Sequence, residues 1–290
     1  MTVPAHAHPQ PLPPAHRHVH GLPHVHPHVH GLPHALPADW PTSLPAPADG
    51  AADLWLLRVP EDTAAAPDPA PLDLSVLDEH ERRRASSFVK DRDRHRYTMA
   101  HLTLRRLLGA YLGVAAEEVR FHSEPCPCCG GPHGRPAVAQ GRTPLHFSLS
   151  HGGDLVLVGV ASVPIGVDVE ALPELEVVAE LGAALHRAEA REVAAASPEE
   201  SRSVFARLWV RKEAYLKGIG TGLGRDLDLD YLGEDPGTAG APPGWRIVNV
   251  LGLPDHAAAA ALRTPRSVPL SIRWLDPASL GPVPGTRTGI

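Results

Sequence analysis

Trp209-Val210-Arg211-Lys212-Glu213-Ala214-Tyr215-Leu216-Lys217 runs without proline or glycine until Gly218 and Gly220, and so reads as helix with a stop at its C-terminus. Glu213 and Lys217 are four apart and project from one face, one turn from each other. Trp209, a turn before Glu213, can anchor that face against a core. An acid and a base held side by side on a rigid helix can bind a cation and an anion together. Spacing alone is explained more simply by a surface ion pair worth about 0.3–0.5 kcal/mol. Composition speaks against that: of the 27 Lys and Arg residues, the lysines are only Lys90, Lys212 and Lys217. Arginine supplies charge elsewhere, and two of the three lysines lie in this helix. Lysine is a compact, strongly hydrated charge that titrates when buried. Its use here points to chemistry rather than solvation.

Upstream, Ile165-Gly166-Val167-Asp168-Val169-Glu170 reads as a strand. Asp168 and Glu170 are two apart and face the same side of it. Adjacent carboxylates repel unless a cation or a proton bridges them. With Glu213 as a third ligand, an all-oxygen set suits Mg²⁺, which keeps several waters and shares substrate phosphates. The alternative is a strand end fraying into water. Before it, Leu145-His146-Phe147-Ser148-Leu149-Ser150 alternates as a strand that ends at His151-Gly152-Gly153. That end can serve as a phosphate cradle or as an ordinary hairpin turn. No G-x-S-x-G elbow surrounds Ser148 or Ser150, so neither is read as a hydrolase nucleophile. A continuous apolar strand follows over 154–162.

Further upstream, a strand is expected over 53–59 and helices over 77–87 and 93–112. In the second helix Tyr97, Ala100, Leu104, Leu107, Leu108 and Tyr111 share one face. Arg82 to Arg106 carries a local charge of +7 in a chain whose total is −6, a pattern that fits an anionic partner or a solvated helix face. No aromatic residues interleave as a single-stranded nucleic acid would require, so a compact polyphosphate fits better. Cys126-Pro127-Cys128-Cys129-Gly130-Gly131-Pro132-His133 has the donors of a tetrahedral zinc site. Two features argue against one: no second C-x₂-C pair follows downstream, and adjacent Cys128 and Cys129 point in different directions. Downstream, helices are expected over 173–185, 187–195 and 199–217, and strands over 245–250, 257–262 and 271–274.

At 290 residues the chain allows one large domain or two small ones. The apolar content of 43% supports a sizeable core. The net charge of −6 argues against broad nucleic-acid binding, and no apolar run approaches the roughly 20 residues of a membrane span. The start lacks a basic and an apolar region of a secretory signal, and three cysteines fit a reducing cytosol. Residues 1–51 read as a disordered Pro- and His-rich tail holding ten of the 19 histidines. Their His-x-His spacing can collect transition metals. Residues 277–290 read as a second frayed tail.

Taken in order, Phe147-Ser148-Leu149-Ser150-His151-Gly152, Ile165 to Glu170, and Trp209-x-x-Lys212-Glu213-Ala214-x-x-Lys217 followed by Gly220-x-Gly222-Leu223 resemble the 4′-phosphopantetheinyl transferases of the larger, surfactin-synthetase-activating type. Phe88 to Arg96 and Gly134-Arg135-Pro136 also fit, and the resemblance covers about 52 to 276. It implies an α+β fold of two similar halves, 52–164 and 165–276, related by a pseudo-twofold. Each half would have a small antiparallel sheet and a long helix, with the active site in the cleft between them. The implied activity moves phosphopantetheine from coenzyme A to a serine of an apo acyl or peptidyl carrier protein, in a cytoplasmic monomer with neither nucleic-acid nor membrane partners. By the same resemblance Asp168, Glu170 and Glu213 bind Mg²⁺, and Lys217 and His151 touch the pyrophosphate. Arg84, Arg96, Arg135 and Ser150 contact the rest of coenzyme A. Glu213, Lys217 and His151 are the expected catalytic residues. Competing readings are another Mg²⁺-dependent nucleotide enzyme with water as acceptor, and a non-enzymatic metal-binding protein that works through its histidine tail.

Overall fold

A computed structural model describes residues 34–35, 42–60, 72–141, 144–234 and 241–280. Its strands, in chain order, are β1 His34–Ala35, β2 Ala52–Arg58, β3 Phe121–Ser123, β4 Pro136–Val138, β5 His146–Gly152, β6 Leu155–Ala161, β7 Ile165–Ala171, β8 Arg246–Val250, β9 His256–Leu262 and β10 Leu270–Leu275. The helices are α1 Glu79–Ser86, α2 Asp91–Leu112, α3 Leu175–Leu181, α4 Arg187–Ala195 and α5 Pro198–Ile219. Every strand and helix expected from periodicity is present, with ends shifted by a few residues. The hairpin β3–β4 and the two-residue β1 were not anticipated.

The strands form a five-stranded sheet in the order β1-β10-β2-β6-β5, a three-stranded sheet β7-β9-β8 and the hairpin β3–β4. The three-stranded sheet is antiparallel throughout. The larger sheet departs from expectation: β10 pairs parallel to both β2 and β1. It comes from the second half of the chain yet completes the sheet of the first. The expected tail boundaries shift as well. The Leu44 N–H donates to the Ala110 carbonyl at 2.9 Å, and Leu44 packs on the core beside α2. Pro277–Leu280 forms a 3-10 turn whose Leu280 is fully buried. Residues 1–33, 36–41 and 281–290 of the expected tails lie outside the described residues.

Alternation in the strands builds the layers. Trp55 and Leu57 of β2, with Val156, Val158 and Val160 of β6, face the core that includes Leu104, Leu107 and Leu108 of α2. Leu54 and Leu56, with Leu155 and Leu157, face Ile165, Val167 and Val169 of β7. Both faces of β6 are therefore covered, which is why its sequence is a continuous apolar run. On the far side, Ala259 and Ala261 of β9 pack with Val210, Ala214 and Leu216 of α5. The order of layers is helix, sheet, sheet, helix, with α2 and α5 outermost.

Both long helices have sequence-encoded ends. α5 begins with a capping box in which Ser197 and Glu200 satisfy each other's backbone, with Pro198 in the first turn. It ends at Gly220, whose φ of 82° is left-handed. α2 ends the same way at Gly113. Trp209 stacks on Phe205 with ring centroids 5.6 Å apart, and both pack in the cluster beneath α3 and α4.

Lys212 does not serve the chemistry that lysine usage suggested for it. Its side chain is buried, with Nζ 2.8 Å from Glu189 of α4 and donating to the Asp230 carbonyl at 2.6 Å. It ties α4 and the 230s loop to α5. Gly166 of β7 sets how closely α5 can lie on the sheet. A Cβ on Gly166 would stand 2.0 Å from the Ala214 carbonyl oxygen and 2.3 Å from the Gly218 nitrogen. Only glycine permits this approach. Gly166→Ala should push α5 outward and cost about 1–3 kcal/mol or more, read as a lower urea midpoint at unchanged slope.

Candidate active site

The close approach of α5 brings its C-terminal turn onto the edge of β7, where that edge meets the edge of β5. Lys217 Nζ lies 2.6 Å from Asp168 Oδ1 and donates to Ser150 Oγ at 2.9 Å. The Ser150 hydroxyl in turn donates to Asp168 Oδ1 at 2.7 Å. One turn of α5, one residue of β7 and one of β5 are thus joined. A second seam contact is the Val167 N–H donating to Ser148 Oγ at 3.0 Å. At Gly152, a Cβ would stand 2.4 Å from the Val169 carbonyl oxygen, so the two edges also touch backbone to backbone.

Asp168 is only 2% exposed, and its Oδ2 is buried without a hydrogen-bond partner. Burial pushes the Glu170 carboxyl up to about 7, and the charges of Asp168 and Glu213 add to the rise against Lys217 and Arg96. Glu213 is also raised, first by burial and then by Asp168, with Lys217 opposing. The three acids therefore share one electrostatic environment. They are not drawn into a tight knot: among the described residues, the group of His, Cys, Asp or Glu donors gathered within 4.8 Å of one another is Cys126, Cys129 and His133. The acid trio is an all-oxygen donor set with an orphaned buried oxygen and unrelieved mutual repulsion. That chemistry fits a hard divalent cation.

His151 follows Ser150 on β5. Burial depresses its imidazole to about 4, helped by Arg96, His101 and Lys217, so it is neutral near pH 7. Its Nδ1 is buried without a partner. Arg96 donates to the Gly153 carbonyl at 2.7 Å and to Asp93 at 3.1 Å. Gly153 makes the left-handed turn between β5 and β6. Arg135 donates to the Gly218 carbonyl at 3.2 Å and to Glu124 at 2.9 Å, which pins β4 to the end of α5.

A cavity of about 720 Å³ opens beside Lys217, lined among others by Tyr97, His101, Arg135, Ser148 and Thr221. A second, of about 650 Å³, lies at the start of α2 beside Arg92, Arg94 and Arg96. The structure thus gathers Asp168, Glu170, Glu213, Lys217, Ser150, His151 and Arg96, with Arg135 on the cavity wall. Arg84 stands apart: its guanidinium lies 4.9 Å from the centre of the Phe88 ring, and it lines neither cavity. The basic run is also less available than its count implied. Arg105 is buried, with Nε 2.6 Å from Glu81 and Nη2 2.7 Å from Asp78. Arg82 and Arg83 reach Glu79, and Arg94 pairs with Asp91.

Sequence reasoning missed Glu81, Tyr97 and His101 as cavity residues. Glu81 bonds His101 Nδ1 at 2.9 Å, and His101 stacks on Tyr97 at 4.0 Å. The available signal was the Asp78-x-x-Glu81 capping box, which fixes Glu81 at the head of α1.

Two family models match end to end. Residues 67–164 match "4′-phosphopantetheinyl transferase, N-terminal", and residues 164–243 match the "4′-phosphopantetheinyl transferase superfamily". The chain belongs to the 4′-phosphopantetheinyl transferase superfamily. The models meet one residue before β7. HetI of Nostoc sp. is 29% identical over 217 residues, covering 72% of this chain and 86% of that protein. Psf-1 of Bacillus pumilus is 28% identical over 59% of this chain and 66% of its own length. Sfp of Bacillus subtilis is 25% identical over 53% of this chain and 65% of its own. All three carry the name 4′-phosphopantetheinyl transferase.

The acid cluster of this transferase should leave a mark on its pH stability. Glu170 rises from an ordinary 4.5 to about 7 on folding. The folded chain therefore holds more protons than the unfolded chain across that interval. Its stability is greatest below it and is lost as pH rises through it. In EDTA, Glu170→Gln should flatten that loss. At pH 8 the variant should be more stable than wild type by on the order of 1–3 kcal/mol, with the two nearly equal at pH 4, as measured by urea denaturation.

Proposed function

We propose that this transferase moves the phosphopantetheine arm of coenzyme A onto a serine of an apo acyl or peptidyl carrier protein, releasing adenosine 3′,5′-bisphosphate. It does so as a cytoplasmic monomer built of two halves related by a pseudo-twofold. Family membership supports the reaction. The observation that supports this cleft as its site is the Lys217–Asp168–Ser150 junction, where both halves of the chain supply polar groups to one point beside a large cavity.

The serine oxygen bonds to the β-phosphorus of the pyrophosphate. The bond from that phosphorus to the bridging oxygen breaks, and the electron pair leaves with adenosine 3′,5′-bisphosphate. The leaving group is already a stable anion and needs charge neutralisation more than a proton, so positioning and electrostatics carry most of the catalysis. Asp168, Glu170 and Glu213 would hold Mg²⁺, which when bound neutralises pyrophosphate charge. Lys217 places a positive charge at the mouth of the cavity for the same anion. His151, neutral near pH 7, offers an N–H to a phosphate oxygen without bringing a full charge. Arg96, Arg135 and Ser150 contact the remainder of coenzyme A. Arg84, held over Phe88, contributes only from the rim.

The serine proton goes to Glu213. Burial and the neighbouring Asp168 both raise the proton affinity of this carboxylate, which suits it to accept one. Its place on the helix that carries Lys217 keeps base and cation one turn apart.

Incubating an apo carrier protein with coenzyme A, Mg²⁺ and the transferase should add the mass of one phosphopantetheine, and a Lys217→Ala variant should lose at least about 100-fold in rate. An unmodified carrier across a panel of acyl and peptidyl carriers would refute the activity. At saturating Mg²⁺, Glu213→Gln and Glu213→Ala should both lose about 100-fold or more in kcat. Near-normal turnover of the glutamine variant would remove the base role.

A further inference from the structure

The β3–β4 hairpin carries a cluster that the transfer reaction does not use. Its connecting loop, 124–135, is closed at the base by two backbone bonds: Glu124 N–H to the Arg135 carbonyl at 3.0 Å, and Gly134 N–H to the Glu124 carbonyl at 2.9 Å. Within it, Cys126 N–H donates to the Gly131 carbonyl and Gly130 N–H to the Cys126 carbonyl, both at 2.7 Å. Gly130 takes a left-handed φ of 73°, which turns the chain back on itself. The result is a tight knuckle that places Cys126, Cys129 and His133 donors within 4.8 Å of one another. Cys129 Sγ and His133 Nε2 are 3.0 Å apart. A Cβ on Gly131 would press to 3.0 Å from the His133 ring, so this glycine lets the imidazole fold over the thiols.

The thiol environment is that of a ligand rather than of a core residue. Cys126 is buried, and backbone N–H groups of Cys128 and Cys129 point at its sulfur. Backbone donors aimed at a sulfur stabilise thiolate charge, the form that binds metals. All three cysteines are free. Cys128 also approaches Cys126 side chain to side chain, which leaves a further sulfur beside the trio.

We propose that Cys126, Cys129 and His133 bind one zinc ion, and that this metal clips the hairpin loop closed. Two thiolates and an imidazole supply three soft ligands of a four-coordinate Zn²⁺ site, in contrast to the all-oxygen acid cluster. The two sites therefore sort different metals by ligand chemistry. The clip acts on the cavity wall. His133, Gly134, Arg135 and Pro136 line the 720 Å³ cavity, and Arg135 reaches the end of α5 through the Gly218 carbonyl. Fixing His133 fixes Arg135 two residues on.

The test must separate this site from the histidine-rich N-terminal region, whose His-x-His spacing can also collect transition metals. Cobalt does so, because thiolate-to-cobalt charge-transfer absorption arises only from cysteine ligands. Titrating full-length, reduced, metal-free protein with Co²⁺ should produce that near-ultraviolet band at a stoichiometry of one per chain, and Zn²⁺ should bleach it. Cys129→Ser and His133→Ala, both at exposed positions, should lose the band or weaken cobalt binding at the site by at least about 10-fold. In the unaltered chain, Zn²⁺ should slow alkylation of the cysteines, and chelation should restore it. Cobalt uptake without a thiolate band, a band unchanged in both variants, or alkylation indifferent to zinc would each overturn the proposal. None of these readouts depends on transfer activity, so failure here is distinct from failure of the phosphopantetheinyl reading.

Discussion

Everything at the centre of this transferase depends on how closely α5 can approach β7. Gly166 removes the one side chain that would hold the helix away from the strand. With it gone, the backbone of Ala214 to Gly218 lies directly against the sheet. Lys217 then reaches Asp168 and Ser150 without stretching. Moving the helix outward by even an ångström would turn that triple contact into a solvent-separated arrangement, because hydrogen bonds weaken steeply beyond about 3.2 Å. The geometry of this junction is therefore set by packing of small residues, and the polar contacts follow from it.

The electrostatics of the cleft are those of an incomplete charge balance. Asp168 is buried and pairs with Lys217. Glu170 and Glu213 are each raised by burial and by a neighbouring acid. Elsewhere acids meet a cation directly, as in the Lys212–Glu189 pair and the contacts of Arg105 to Glu81 and Asp78. Beside those paired acids, Asp168, Glu170 and Glu213 keep a mutual repulsion that raises Glu170 and Glu213.

Periodicity was enough to find the long elements, because α2 and α5 alternate with a helical period and β6 and β7 sit in layers that demand apolar runs. The acid pair on β7 was legible for the same reason: a period of two puts Asp168 and Glu170 on one side. What could not be read was long-range pairing. Nothing local in Leu270–Leu275 says that it will lie parallel to β2, since a strand has the same composition whichever neighbour it finds. The fate of Lys212 was hidden because burial depends on α4 and the 230s loop folding over it. Arg105 looked like part of a basic face because its partners, Glu81 and Asp78, belong to another helix and its cap. The convergence of Cys126, Cys129 and His133 was hard to read because a knuckle turn, rather than a second pair of cysteines, brings the donors together.

The placement of β10 bears on how the chain is born. The sheet that supports the first half stays open along β2 until residue 275 has left the ribosome, because the parallel neighbour of β2 is encoded at the far end of the sequence. The first half cannot be finished as an independent unit while the second is still being synthesised. Closing that gap brings together segments separated by most of the chain, a slow step by its loop entropy. Until then a row of unpaired backbone groups on β2 is exposed to other nascent chains, and β10 is what seals it.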